Sequence, residues 1–482
     1  MLSKVNVCYR ARIPVVLIES FDENNVEEEI KDYGRIINVP VIKWDLYNGF
    51  SVPSLDMIKG TDPKTIRDPV EALTTCLTNC ANGAIWMFYD LPHFMREPIV
   101  KRLLKSIYTF LRVRNKGMVL IIGEDIPEVQ RFIPKYSESL PTRKDIREFL
   151  ENNKVNFEVN DRDLDAVVTS LLGLTKTQIE DACARSLVES FYVKPATLQK
   201  YKEETIRKDI GLEIVDPRRS VSIGGLDLLC GDIRRMRKLF SEEAERYGAT
   251  PPRGYLLVGP PGTGKSLAAK HIARELGFPL LRLEISRVSS QWYGQTTARM
   301  KRVLDIADAM SPSILWIDEV EKILNSGSNL ELHEETNRAT SVLLTHMQES
   351  TGKVLYVGTC NTPRIPPELL QRFERCFFVD LPTKKAREDI FALHIAQSGR
   401  DYMKFDIPLI AERTEGFSGR EIASVVREGL IRAFNDGREP VTDDFLLEAC
   451  RVVPTSVSRK SEIEKLREWA RKNAMPAEIE VV

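Results

Sequence analysis

The sequence has no excess of charge of either sign and no long hydrophobic run. Its 69 lysines and arginines face 70 aspartates and glutamates, so bulk charge gives no reason to expect nucleic acid or anionic lipid as a partner. No apolar run reaches the ~18 residues of a membrane span. The N-terminal stretch is broken by Arg10, Arg12 and Glu19, unlike the apolar centre of a signal peptide. We therefore expect a protein without a membrane span that stays inside the cell.

Metal-binding patterns are also missing. The eight cysteines are scattered, and Cys76 and Cys80 have no second cysteine or histidine pair nearby to complete a zinc site. His333 and Glu334 do not begin a zinc-protease motif, because residue 337 is Asn337. We therefore expect no zinc site and no appended peptidase. The length of 482 residues is enough for about three compact units.

A glycine-rich stretch, GPPGTGKS, is the most informative motif in the chain. It spans residues 259–266, between an apolar run typical of a buried strand and a segment with helical spacing. In such a turn backbone amides surround phosphates, Lys265 reaches the β and γ oxygens, and the Ser266 hydroxyl binds magnesium. The residues predicted to contact the nucleotide are Gly259, Pro260, Pro261, Gly262, Thr263, Gly264, Lys265, Ser266 and Leu267.

Two further apolar runs end in polar residues that suit ATP hydrolysis. The run ILWIDE, residues 314–319, predicts a buried strand in which Asp318 holds magnesium and Glu319 polarises the attacking water. The run that ends at Asn361 predicts a strand whose terminal amide orients the same water. An exposed acidic turn is the alternative for residues 318 and 319. Together the three motifs predict an ATPase that uses ATP and Mg²⁺.

These motifs resemble those of AAA+ ATPases of the AAA clade. The resemblance implies an α/β P-loop NTPase fold, with a three-layer α/β/α domain and a small α-helical lid. SIGGLD, residues 222–227, resembles the segment whose backbone contacts adenine, which includes Gly224. RFER, residues 372–375, resembles the arginine-finger pair. Arg372 and Arg375 are therefore expected to reach the γ-phosphate of a neighbouring subunit, with surface salt bridges as the alternative.

The lid is predicted from GFSGREIASVVREGL, residues 416–430, which looks like the start of a lid helix. Ser418 is expected to cap this helix, with Glu421 at the spacing of a capping box. Arg420 resembles the sensor 2 arginine of other AAA+ branches, which touches the γ-phosphate of its own chain. The alternative is an arginine in a solvated first turn.

SSQWYGQ, residues 289–295, matches the pore-loop segment of hexameric remodelling ATPases. In these proteins the residues at the places of Trp292 and Tyr293 grip a threaded polypeptide, and packing of the two rings is the alternative. The resemblance implies a homo-oligomer, a hexameric ring, that acts on a protein client and not on nucleic acid. Two other functions stay open: a nucleotide-switched scaffold or adaptor with little turnover, and a nucleic-acid motor.

The first 200 residues look like a degenerate copy of the same domain. Runs at 15–20, 85–90, 118–124 and 173–187 repeat the order of three strands and a lid helix. The first glycine of the chain is Gly34, and Asp22 and Glu23 open an acidic helix start that would repel a triphosphate. Leu91 stands where a catalytic glutamate is expected. We predict an interaction module that binds no nucleotide, with an unrelated α/β domain as the alternative.

Almost the whole chain resembles a smaller family, the AAA ATPases of cyanobacteria and algal plastids with no settled activity. The likeness rests on WDLYNGF at 44–50, DLPHFM at 90–95 and EIEKLREWA at 462–470. It implies a location in the cytoplasm or the plastid stroma. The tail helix is expected to dock by Trp469. The predicted boundaries are a degenerate domain 1–200, a charged linker 201–217, a large ATPase subdomain 218–385, a lid 386–455 and a tail helix 456–482.

Overall fold

The computed structural model describes residues 2–53, 58, 62–80, 83–114, 117–123, 133–153, 157, 159, 163–216, 223–284, 296–323, 330–349 and 353–479. The chain divides into two compact units, Met1–Lys202 and Glu203–Val482. The predicted pore-loop residues Trp292 and Tyr293 lie outside the described residues. In the described part of the chain, no helix is long and apolar enough to cross a membrane.

The first unit alternates strands with helices. Its strands are β1 (Val15–Glu19), β2 (Val41–Asp45), β3 (Gly49–Ser51), β4 (Ile85–Phe88), β5 (Met118–Gly123) and β6 (Lys135–Ser137). Its helices are α1 (Leu2–Arg10), α2 (Glu23–Ile36), α3 (Pro69–Asn79), α4 (Pro98–Arg114), α5 (Arg143–Asn152), α6 (Leu164–Leu171) and α7 (Lys176–Ser190). Helix α8 (Pro195–Ile210) runs past the boundary between the units.

Apolar runs form the centre of the first sheet, whose order is β3-β2-β4-β5-β1-β6. Strands β1, β4 and β5 are buried along their whole length. Their alternate side chains face two cores, since Val15 and Leu17 join one cluster and Val16 and Ile18 join another. A parallel sheet buried on both faces is the expected consequence of helices packing on either side.

The second unit has a similar alternation. Its strands are β7 (Glu213–Val215), β8 (Gly254–Val258), β9 (Leu280–Glu284), β10 (Ser313–Asp318), β11 (Val354–Cys360), β12 (Arg375–Phe378) and β13 (Met475–Pro476). Its helices are α9 (Asp227–Met236), α10 (Glu242–Tyr247), α11 (Lys265–Leu276), α12 (Thr296–Ala309), α13 (Leu330–Glu349), α14 (Pro367–Leu370), α15 (Lys384–Gln397), α16 (Ile407–Arg413), α17 (Gly419–Asn435), α18 (Thr442–Ala449), α19 (Thr455–Ser458) and α20 (Lys460–Asn473).

The two sheets share one topology. The second has the order β13-β12-β8-β11-β10-β9-β7, and without the edge strands its parallel core β12-β8-β11-β10-β9 matches β6-β1-β5-β4-β2 of the first. Ile85 in β4 and Ile314 in β10 also hold the same register position between their neighbouring strands. The predicted fold class, a three-layer ATPase domain preceded by a degenerate copy, is confirmed.

Helices α15 to α18 form the predicted lid around its own apolar core. Phe391, Val425 and Phe445 are among the buried residues of this cluster. Helix α17 begins where the sequence predicts, because the Glu421 carboxylate accepts hydrogen bonds from the backbone nitrogen and hydroxyl of Ser418 at 2.7 and 2.8 Å. The capping box therefore fixes the N-terminal end of helix α17.

The structure corrects two expectations at the edges of the second sheet. Helix α20 buries Ile463, Leu466 and Ala470, whereas Trp469 is half-buried, so the tail does not dock mainly by Trp469. After this helix, strand β13 pairs with β12. Strand β13 has two residues and is too short for a sequence pattern to reveal. The segment 201–217, expected as a charged connector, contains the end of α8 and strand β7, which pairs with β9.

Candidate active site

The loop between β8 and α11 needs glycine at three positions. A Cβ atom on Gly259 would lie 2.0 Å from the backbone oxygen of Val379, just after the neighbouring strand β12. Gly262 and Gly264 have φ angles of +86° and +96°, in the left-handed region that other residues rarely adopt. The loop therefore packs tightly against the sheet and turns directly into α11 at Lys265.

Lys265 is buried beneath this loop. Its Nζ donates hydrogen bonds to the backbone oxygens of Gly259 and Pro260, at 2.8 and 2.6 Å. Burial lowers the pKa of Lys265 to about 8, and nearby acidic groups partly oppose this shift. A buried cation whose partners are neutral carbonyl oxygens favours an anionic oxygen as a further partner. The residues present therefore fit a bound triphosphate.

Strand β10 places Asp318 at the same edge of the sheet. Its Oδ1 accepts a hydrogen bond from the Thr359 hydroxyl at 2.7 Å, and its Oδ2 accepts one from Arg282 Nη2 at 2.9 Å. The Thr359 hydroxyl also accepts from the backbone nitrogen of Glu319 at 3.1 Å. One buried hydroxyl thus links both acidic residues. Carboxylate oxygens are ligands that magnesium prefers, so this arrangement fits the expected metal.

Sequence reasoning missed Arg282 and Thr359. The signal for Arg282 was a charged residue inside the apolar run of β9, and the signal for Thr359 was a hydroxyl two residues before Asn361. Neither signal names a partner, because the contact with Asp318 depends on the sheet order β11-β10-β9.

Two of the predicted catalytic residues, Glu319 and Asn361, bond to residues that directly follow β10. Glu319 has a left-handed φ of +54°, and its carboxylate forms an ion pair with Lys322. This hydrogen bond raises the pKa of Lys322. The backbone and side-chain nitrogens of Asn361 donate to Glu321 Oε1 at 3.1 and 3.4 Å. Both predicted residues therefore lie at the carboxyl edge of the sheet, and Glu321 and Lys322 hold them there.

The lid contacts the glycine-rich loop through the first turn of helix α17. The backbone nitrogen of Arg420 donates to the backbone oxygen of Gly262 at 3.1 Å, and the Arg420 side chain is exposed. Gly224 lies against the lid helix α15, where an added Cβ would sit 3.1 Å from the backbone nitrogen of Ile390. Gly224 thus adjoins the lid, and Arg420, which lies in the lid, adjoins the glycine-rich loop. The adenine contact and the sensor 2 role stay predictions.

The two predicted arginine fingers lie at the amino-terminal ends of the parallel strands, opposite to the carboxyl edge that carries Asp318. Arg375 begins β12 and stands in register with Tyr255 near the start of β8. Strands rise about 3.3 Å per residue, so the glycine-rich loop, here called the phosphate-binding loop, begins about 13 Å further along β8. Arg372 Nη1 donates to Gln348 Oε1 at 2.6 Å. Both arginines are therefore placed far from the phosphate-binding loop of their own chain.

The corresponding edge of the first unit is filled by its own side chains. A loop of three residues, 20–22, replaces the glycine-rich loop, and the Asp22 carboxylate accepts from Thr177 N and Oγ1 at 2.9 and 2.7 Å and from Asn25 N at 3.2 Å. Glu138 accepts hydrogen bonds from Ser20 Oγ and Asn25 Nδ2. Burial raises the pKa of Glu138. The Asp22 carboxylate thus joins the start of α2 to the start of α7.

The structure corrects the alignment of the two copies by one residue. Asp90 and Glu319 both have left-handed φ angles, +50° and +54°, and both stand five residues beyond equivalent positions in β4 and β10. Asp90, not Leu91, therefore corresponds to Glu319, and the buried Tyr89 corresponds to Asp318. The first unit therefore has a tyrosine at the place of Asp318 and keeps a carboxylate at the place of Glu319.

The chain matches four family models. Residues 255–381 match the model described as ATPase family associated with various cellular activities (AAA), and residues 404–448 match the AAA+ lid domain. Residues 1–130 and 142–209 match the N-terminal and second domains of SpoVK-like AAA ATPases. The fold and the site therefore define an ATPase of the AAA class, which binds ATP with Mg²⁺.

Relatives that span the chain define the family more closely. The AAA domain-containing protein ycf46 of Guillardia theta is 31% identical over 481 residues, covering 96% of this chain and 93% of that protein. The protein of the same name from Trieres chinensis is 29% identical and covers 96% and 95%. The chain belongs to the ycf46 family of AAA proteins. A proteasome-activating nucleotidase of Thermococcus onnurineus is 33% identical over 266 residues, 52% of this chain and 66% of its own.

Proposed function

We propose that this ATPase works as a hexameric ring that remodels a protein client, with each active site completed by the neighbouring subunit. Residues 259–267 hold the phosphates in this proposal, Gly224 adjoins the adenine, and Arg420 approaches the γ-phosphate from the lid. The backbone contact between Arg420 and Gly262 supports this role for the lid.

The chemistry is divided among residues at the carboxyl edge of the second sheet. Lys265 binds the β and γ oxygens, and Ser266 and Asp318 hold magnesium. When bound, magnesium neutralises charge on the transferring phosphoryl group. Glu319 accepts a proton from the attacking water, and Asn361 orients that water. The fixed backbone of Glu319, held by Thr359, supports this assignment.

The position of the arginines is the single observation that carries the proposal. Arg372 and Arg375 lie at the edge of the sheet opposite to their own phosphate-binding loop. An arginine supplied from a neighbour contributes ~10³ to 10⁵ in rate to related reactions, because it neutralises charge that develops in the transition state. Hydrolysis would then depend on assembly, since a solitary chain lacks this charge.

A mixing experiment tests the proposal. Arg372→Ala removes the contribution to the neighbour, whereas Lys265→Ala removes phosphate binding in the same chain. Each variant alone is expected to lack turnover, and an equal mixture should recover up to about a quarter of the wild-type rate, because about one interface in four then pairs two intact halves. The double variant Lys265→Ala/Arg372→Ala mixed with wild type is the control. Absence of recovery in rings shown to be mixed contradicts action across the interface.

Two observations bear on the client. One relative is named a proteasome-activating nucleotidase, which supports a protein client. Helix α4 of the first unit supports the nucleic-acid alternative, because it carries five basic residues and no acidic one, and Lys101, Arg102 and Lys105 are exposed. Turnover measured with unfolded polypeptide, with DNA and with neither separates the two motors from a scaffold that rarely hydrolyses ATP.

We propose that the first unit binds no nucleotide and serves as an interaction module. The support is the hydrogen-bonded Asp22, which occupies the place where the second unit has its glycine-rich loop. Micromolar binding of a fluorescent ATP analogue by a Lys265→Ala full-length chain would contradict this part. The location in the cytoplasm or the plastid stroma is likewise a proposal, which cell fractionation tests.

A further inference from the structure

Arg282 occupies a fixed position beside the expected metal ligand. It lies in β9 in register with Trp316 of β10, and its guanidinium carbon is 4.9 Å from the centre of the Trp316 ring. Its Nη2 donates to Asp318 Oδ2 at 2.9 Å, and its Nη1 donates to Glu213 Oε2 at 3.4 Å. The arginine therefore bridges the metal-binding carboxylate and the edge strand β7.

The pair of Arg282 and Asp318 is shielded from solvent, with side chains 31% and 18% exposed. Burial acts to lower the pKa of Arg282, but the hydrogen bond and charge of Asp318 outweigh it and raise that pKa. The guanidinium is therefore positively charged at any physiological pH. Because Thr359 bonds the other oxygen, both oxygens of Asp318 have protein partners in this structure.

We propose that Arg282 is a positioning residue that makes divalent-metal binding at Asp318 depend on bound nucleotide. The inference rests on the proposed function of Asp318. In the chain without nucleotide, Arg282 orients the carboxylate and offsets its charge, so Asp318 attracts a divalent cation less strongly. A bound triphosphate adds the negative charge that outweighs the guanidinium. The arrangement prevents a metal ion from occupying the site before the nucleotide does.

Glu213 adjusts how firmly Arg282 holds Asp318. Its carboxylate is 46% exposed and competes for the same guanidinium across the sheet edge. Removing that charge leaves Arg282 more fully committed to Asp318. Substitutions of Arg282 and of Glu213 should therefore change metal affinity in opposite directions, which simple loss of local structure would not produce.

Manganese binding measured by electron paramagnetic resonance tests the inference without a turnover assay. In the absence of nucleotide, Arg282→Gln should bind Mn²⁺ about tenfold more tightly than wild type, since a unit charge beside a divalent cation has an effect of this order even in water. Arg282→Lys keeps the charge and should stay weak. Glu213→Gln should bind Mn²⁺ more weakly than wild type. Arg432→Gln is the matched control, because Arg432 forms a comparable 2.7 Å ion pair with Glu448 inside the lid.

The outcomes separate this inference from the proposed function. Equal or weaker Mn²⁺ binding by Arg282→Gln, with wild type still binding Mn²⁺ in the presence of a non-hydrolysable ATP analogue, overturns the role of Arg282 alone. The proposed metal site is overturned if wild type binds no Mn²⁺ even with the analogue and so behaves like Asp318→Asn. If Arg282→Gln does not fold, tighter Mn²⁺ binding by Glu213→Gln or Arg282→Lys overturns the inference.

Discussion

The protonation of Lys265 gives a pH dependence that can be worked out from the structure. Burial lowers its pKa to about 8, from an ordinary value of 10.5. About nine in ten chains without nucleotide therefore carry the ammonium charge at pH 7, and about one in ten at pH 9. Negative phosphate oxygens beside the amine raise its pKa again. Binding of nucleotide above pH 8 should therefore take up a proton.

Isothermal titration calorimetry measures this uptake directly. A non-hydrolysable ATP analogue is titrated at pH 8.5 in two buffers that differ in ionisation enthalpy, well above the pH near 6 where the terminal phosphate itself titrates. We expect uptake of about 0.7 proton at pH 8.5, with affinity falling above pH 8. Lys265→Met should lose the binding heat itself, and the exposed Lys384→Met should keep both the binding and the uptake. Zero uptake by wild type at pH 8.5 would refute a nucleotide contact by a buried Lys265.

The same shift has a sign in the stability of the chain without nucleotide. Between pH 8 and 10.5 the unfolded chain binds more protons at this lysine than the folded chain, because the folded pKa is about 8. The free energy of unfolding should therefore rise with pH in this window, by up to roughly 3 kcal/mol. The difference between wild type and Lys265→Met isolates this contribution from other titrating groups.

Two further substitutions test the packing of the two copies. Gly259→Ala places a Cβ 2.0 Å from the Val379 oxygen. We therefore expect it to lose ATP-analogue binding and to lower the free energy of unfolding in urea by roughly 1 to 3 kcal/mol. The control Gly231→Ala, where an added Cβ has nothing within 4 Å, should be neutral or stabilising. Asp22→Ala leaves donors of Asn25 and Thr177 without their carboxylate and should cost roughly 1 to 3 kcal/mol without creating nucleotide binding, whereas the exposed Asp32→Ala should change little. An Asp22→Ala chain as stable as wild type would contradict the role given to that carboxylate.

The sequence was informative where structure is determined locally. The glycine-rich loop could be predicted because Gly259, Gly262 and Gly264 each meet a constraint of their own backbone. The lid helix could be placed because Ser418 and Glu421 are three residues apart and cap one helix end. Periodicity and turn chemistry within about ten residues carried both predictions.

Contacts between distant segments could not be predicted in the same way. Arg282 and Asp318 are 36 residues apart and meet because β9 and β10 pair in one register. The one-residue error at Leu91 has a related cause, since an apolar run does not fix strand register and the left-handed φ of Asp90 is invisible in the sequence. The short strand β13 offers too few residues for any pattern.

The rate of ATP hydrolysis per chain, measured across a dilution series alongside the oligomeric state by mass photometry, tests the central claim most directly. Because Arg372 and Arg375 lie far from their own phosphate-binding loop, the rate should follow the assembled fraction and fall by ~10³ or more when chains are solitary. Solitary chains that hydrolyse ATP at the full rate of the assembled protein would contradict the account.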